Sequence, residues 1–137
     1  MKFLDASVII RFLTRDDEVK ATAAYAFLDQ VQNGEEEVFL SETIVAEVVY
    51  VLSSRRSPYR LDHEEIRARL MPVLTMRSLH IPQKTACLRA LELYAESPFL
   101  DFGDAIAVAH MEQQGIGEIL SYDHDYDRIT GIRRVEP

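Results

Sequence analysis

Five acidic residues stand where apolar neighbours, strand ends or one another make a purely solvated role hard to assume. They are Asp5, Glu47, Asp101, Asp104 and Asp123. Asp5 follows the apolar pair Phe3-Leu4, and Asp123 follows shortly after Ile119-Leu120. Asp is also a favoured helix N-cap, which accounts for Asp5 equally well. A solvated acidic turn accounts for Asp123 within SYDHDYD when that residue is taken alone. Glu47 lies inside Ile44–Leu52, with Thr43, Ile44, Tyr50 and Val51 three and four positions away. A carboxylate in such a helix is expected to be partly desolvated. That costs several kcal/mol unless a cation or donors compensate, a buried salt bridge being the purely structural account. Asp101 and Asp104 are three apart before the small apolar run Ala105–Ala109, so both can face one side of a first helical turn. One N-cap side chain is enough for a helix, and two acids aimed at one place repel unless a cation lies between them.

The chemistry these groups suit is binding of a hard cation such as Mg²⁺ or Mn²⁺ for hydrolysis of a phosphodiester. Other chemistries find less support. The single cysteine, Cys87, stands in no recognisable nucleophile setting and excludes both a disulfide framework and a cysteine zinc site. Gly115-Ile116-Gly117 precedes a strand pattern, not a helix, so it is no phosphate-cradling loop. His63, His80, His110 and His124 show no paired zinc-ligand spacing and read as structural or solvated.

The elements that must position the acids can be read from periodicity and punctuation. Lys2–Leu4, Val38–Leu40, Leu79–Ile81, Glu118–Ser121 and Arg133–Val135 read as short strands. Helices are expected after Asp5, over Glu18–Gln32 with Asn33-Gly34 as its stop, and from a Ser41 cap to about Ser54. Asp62 with Glu65 resembles a capping box for a helix through Leu74. Pro82 suits the first turn of a helix ending near Glu96, and Asp101–Gln114 forms another, stopped by Gly115. Strands alternating with helices of crossover length predict an α/β fold with a largely parallel sheet. In such sheets ligands bind beyond the carboxyl ends of the strands, where Asp5 and Asp123 fall if their strands share one sheet.

The bulk properties set bounds. The 137 residues fit one domain, with 47% hydrophobic and 28% charged residues, and can bury a core without disulfides or structural metal. A formal charge of −8 argues against a protein that coats nucleic acid, yet is compatible with an enzyme touching RNA locally. No stretch approaches the roughly 20 apolar residues of a membrane span. Asp5 and Arg11 interrupt the N-terminal apolar run, and no signal cleavage site follows it. The expectation is a soluble protein of the reducing cytoplasm.

Four segments together resemble the PIN-domain family, and within it the VapC-like ribonuclease toxins of toxin–antitoxin modules. They are FLDASVII (3–10), SETIVAEVVYVL (41–52), DFGDAIAVAHMEQQG (101–115) and SYDHDYDRITGIRRV (121–135), in the family's order and spacing along essentially the whole chain. Each alone is short and weak, while the ordered set is specific. The resemblance implies one domain over residues 1–137, a Rossmann-like three-layer α/β/α sandwich with a mostly parallel central sheet. It implies a Mg²⁺- or Mn²⁺-dependent endoribonuclease, homodimeric and held inactive by a small cognate antitoxin. The family's acids fall on Asp5, Glu47, Asp104 and Asp123 as catalytic metal-holding residues, with Asp101 auxiliary and Asp125 the competing choice for the fourth. Ser7 and Ser121 would orient water or a carboxylate. Arg11, Arg15, Arg55, Arg56 and Arg60 are candidates for contact with the RNA backbone, although plain surface charge accounts for each singly. Tyr126 stands where phenylalanine is more usual, a departure expected to leave the chemistry untouched.

Two other functions compete. A phosphotransferase or phosphatase using Asp5 as nucleophile would want a second acid two residues on, where Ser7 stands, or an acidic pair before the acceptor strand, which is missing. A non-catalytic interaction module on the same fold would be expected to lose some of the four acids.

Overall fold

The computed structural model describes residues 1–137 and is an α/β fold of parallel strand pairs and six α-helices. Strand β1 (Lys2–Phe3) pairs with β2 (Val38–Phe39), and β2 with β3 (Leu79–His80), both in parallel. Lys2, Val38 and Leu79 stand in register, as do Phe3, Phe39 and His80. A second parallel pair joins β4 (Glu118–Leu120) to β5 (Arg133–Val135). The parallel pairing is as the βα alternation requires. The division into two ladders is a difference from the single sheet expected: no ladder joins β1 to β4. One hydrogen-bonded sheet edge therefore does not place both Asp5 and Asp123, and their relation depends on helix packing.

Local signals fix the helices closely. Helix α1 (Ala6–Thr14) starts on Asp5 and ends at Arg15 in the left-handed region. Asp17 caps α2 (Glu18–Gln32), which buries Ala21, Ala24, Leu28 and Val31 at three- and four-residue spacing. The Ser41 hydroxyl accepts the Ile44 N–H to start α3 (Glu42–Ser53), whose inward face is Val45, Val48, Val49 and Leu52. Asp62 accepts the Glu65 N–H at the start of α4 (His63–Leu74). Pro72 falls in the last turn of α4, where it lacks the N–H that would otherwise bond the carbonyl four residues earlier.

Helix α5 (Lys84–Glu96) corrects one expectation, since Pro82 lies outside it. Gln83 at its N-terminus takes a left-handed conformation (φ 53°) and gives no side-chain cap, so the chain turns there before the helix begins. Helix α6 (Phe102–Gln114) is capped by Asp101 and closed by Gly115 at φ 67°, a conformation that glycine adopts without a Cβ penalty.

Helix α5 packs against α6 and α4, α1 against α2 and α3, and α3 against α4 and α6. The strand residues Leu4, Val38, Leu40, Leu79 and Ile81 enter the same core as the inward faces of these helices. That core holds two things still for function: the first turn of α6 and the short 3₁₀ helix over His124–Arg128, through buried Phe102 and Tyr126. No helix is long and apolar enough to cross a membrane.

Candidate functional site

Three carboxylates converge. Asp104, Asp123 and Asp125 each offer an oxygen within 4.8 Å of those of the other two. Asp104 sits in the first turn of α6, where the Asp101 side chain accepts its N–H at 2.8 Å. Asp123 caps the 3₁₀ helix: its Oδ1 accepts the Asp125 N–H at 2.9 Å, and its own N–H donates to Ser121 Oγ at 3.0 Å. These turn bonds, typical of Asp and Ser at helix starts, set the backbone that brings Asp123 and Asp125 to one side. The same 3₁₀ helix carries Tyr126, whose buried hydroxyl donates to Asp104 Oδ1 at 2.9 Å.

The electrostatics follow from that crowding. The Asp104 carboxyl is raised above its ordinary value of 3.8, first by burial. The Tyr126 hydrogen bond opposes the rise, while the charges of Asp101, Asp123 and Asp125 add to it. Burial and the neighbouring Asp104 push the Tyr126 phenol well above its usual range, so it remains a protonated donor at neutral pH. Oxygen donors at half-exposed Asp104 and Asp125 and exposed Asp123, mutually repelling and close enough to share a ligand, fit a hard divalent cation and suit soft or nitrogen-preferring metals poorly.

The other acids named from sequence lie outside this group of three. Asp101 is the cap of α6 and reaches Asp104 through its backbone and its charge. Asp5 is exposed and caps α1. Its Oδ2 accepts the Ser7 hydroxyl at 2.7 Å and the Ser7 N–H at 3.1 Å, which holds its carboxyl below the ordinary value. Glu47 overturns the argument that singled it out. It is exposed, on a stripe of α3 shared with exposed Thr43 and Tyr50, while Val45, Val48, Val49 and Leu52 take the buried face. Apolar neighbours in sequence do not desolvate a side chain that points away from the core.

The arginines divide likewise. Arg11 is engaged: its guanidinium donates to both Asp16 oxygens at 2.8 and 2.9 Å, and the Tyr59 hydroxyl donates to the same carboxylate. Arg15, Arg55, Arg56 and Arg60 are exposed. Two arginines that sequence reasoning passed over stand on or beside the 3₁₀ helix. Arg134 donates to Asp127 Oδ1 at 3.0 Å and to the Ser121 carbonyl at 2.9 Å, bracing the segment that carries Asp123. Arg128 lies over the Phe99 ring, 3.8 Å from its centroid. Tyr126, where phenylalanine is more usual, adds a contact of its own, since its hydroxyl binds one of the clustered acids.

Three of the four histidines are occupied elsewhere, while His80 lies 3.5 Å from Glu37. His63 stacks on Tyr94 and bonds the Leu100 carbonyl, His110 meets Glu42, and His124 meets Asp127.

The model of the PIN domain matches residues 2–132. A VapC ribonuclease of Aquifex aeolicus (strain VF5) is 26% identical over 137 residues, covering all of this chain and 97% of that protein. The match takes in the opening strand, the three acids of the cluster and the whole 3₁₀ helix, and the chain belongs to the PIN-domain family.

Proposed function

We propose that this chain is a metal-dependent endoribonuclease, the toxin of a toxin–antitoxin pair, whose acidic centre includes Asp104, Asp123 and Asp125. The observation that carries the reading is the convergence of these carboxylates within 4.8 Å in a PIN-domain chain that aligns end to end with a VapC ribonuclease. That alignment favours hydrolysis of RNA over an Asp-based phosphotransferase or a non-catalytic module.

In this reading Asp104, Asp123, Asp5 and Glu47 hold Mg²⁺ or Mn²⁺, with Asp101 auxiliary and Asp125 beside Asp123. A bound cation of this kind supplies charge neutralisation at the scissile phosphate and activation of water. The chain's own residues do the positioning. Asp101 fixes the first turn of α6 and hence Asp104. Ser121 fixes the backbone of Asp123, and Ser7 holds the Asp5 carboxylate. Exposed Arg15, Arg55 and Arg56 meet the RNA backbone, whereas Arg11 serves the fold through Asp16. A homodimer and a small antitoxin complete the proposal.

The test is cleavage of a mixed RNA substrate by the purified chain. Cleavage with Mg²⁺ or Mn²⁺ that stops with chelator, and that Asp5→Asn abolishes, supports the reading. Cleavage by Asp5→Asn at the rate of the parent chain would sink it.

A further inference from the structure

We propose that Tyr126 is a positioning residue of the acidic centre, its hydroxyl holding the Asp104 carboxylate in the orientation that receives the cation. The inference rests on the proposed reading of that centre as a cation site, and it concerns a residue to which nothing but packing would otherwise be assigned.

Three observations carry it. First, the ring is anchored: Tyr126 is 6% exposed and belongs to the main hydrophobic core. Its hydroxyl position is therefore set by packing and does not wander with solvent. Second, the 2.9 Å bond to Oδ1 is the one hydrogen bond the Asp104 carboxylate receives, amid the negative charges of Asp101, Asp123 and Asp125. Without it the carboxylate is free to rotate away from those neighbours, as their repulsion favours. Third, one short element supplies both parts. The 3₁₀ helix that Asp123 caps, and that carries Asp125, also carries Tyr126. The donor and two of the acids thus move as a unit, and the bond ties that unit to α6 across 22 residues of sequence.

Partners of this kind, which orient a ligand without touching the metal, commonly change metal affinity by about 10–100-fold when removed. Phenylalanine at this position keeps the ring and its packing and deletes the hydroxyl alone. Leucine deletes the ring as well, and so reports the packing contribution separately.

The experiment is calorimetric titration with MnCl2 of the parent chain, Tyr126→Phe and Tyr126→Leu, with each variant's thermal midpoint measured in EDTA. The inference predicts that Tyr126→Phe melts within a few degrees of the parent yet binds Mn²⁺ at least about tenfold more weakly. In RNA cleavage it lowers kcat and leaves the KM for RNA unchanged. Tyr126→Leu loses thermal stability in addition. Parent-like Mn²⁺ affinity in Tyr126→Phe overturns the inference while leaving the proposed nuclease intact. Failure of the parent chain itself to bind Mn²⁺ or Mg²⁺ overturns both, so the two failures are distinguishable.

Discussion

Asp104→Asn is predicted to make the metal-free protein more stable. Asp104 keeps the Tyr126 hydrogen bond as Asn, because the amide oxygen can accept it, but loses its charge. The charge is what its neighbours oppose: Asp123 and Asp125 have oxygens within 4.8 Å of it. At that distance and in water's dielectric each pair repels by about 0.9 kcal/mol, before salt screening. Two such pairs set the gain at about 1–2 kcal/mol. With an unfolding entropy of about 2.1 cal/mol/K per residue, a chain of 137 residues gains roughly 3–7 °C in Tm. The sign is consistent with the raised carboxyl of Asp104. A carboxyl whose folded pKa lies above its unfolded value of 3.8 favours the fold at low pH. That contribution is lost as pH rises through the folded pKa, so the penalty is present at neutral pH. The assay is thermal unfolding at pH 7 in EDTA and low salt, repeated with MnCl2. Parent protein should melt below Asp104→Asn in EDTA and gain several degrees with Mn²⁺, while the variant gains much less. A variant that melts lower than the parent in EDTA would refute the repulsion argument. A variant that gains as much as the parent from Mn²⁺ would refute the placing of Asp104 at the cation.

Two further predictions concern the frame. The Asp16 carboxyl is held down to about 2 from 3.8 by the Tyr59 hydroxyl and then Arg11, so its contribution is present above pH 3.8 and lost as pH falls toward 2. Urea unfolding between pH 5 and 2, in steps, should show the parent losing stability more steeply than Asp16→Asn in that window; parallel pH profiles would contradict it. Leu70 is fully buried in α4, and Leu70→Ala should cost about 2–5 kcal/mol in urea unfolding with no change in Mn²⁺ affinity. A loss of less than about 0.5 kcal/mol would mean the core around α4 is looser than it stands.

The elements were legible in the sequence because their signals are local. Ser41, Asp62 and Asp101 each accept the N–H three residues on, as a cap placed before an apolar run should. The Asn33-Gly34 stop and the Gly115 closure fall where they were read. Strand ends differ by a residue, and Pro82 sits outside the helix it was expected to open. What failed was inference about facing. Glu47 has apolar neighbours along the chain, yet Thr43, Glu47 and Tyr50 lie on the outward stripe of α3. Which stripe faces out is decided by partners distant in sequence. Asp104 emerged from its spacing with Asp101, but the structure gives the two unequal duties, one capping and one clustering. The Tyr126–Asp104 and Tyr59–Asp16 bonds had no sequence signal, because each joins segments whose meeting only the packed fold decides.

If the clustered acids cleave RNA by holding a divalent cation, as proposed, Asp104→Asn removes one holder of the cation without disturbing the fold. The measurement is the rate of cleavage of one labelled RNA by parent and variant, at saturating Mn²⁺ and at a temperature where both are folded. The expected variant is at least as stable as the parent and slower by about 10²-fold or more, the scale of loss when one electrostatic contact to a transition state is removed. A folded variant cleaving at the parent's rate would contradict the proposal.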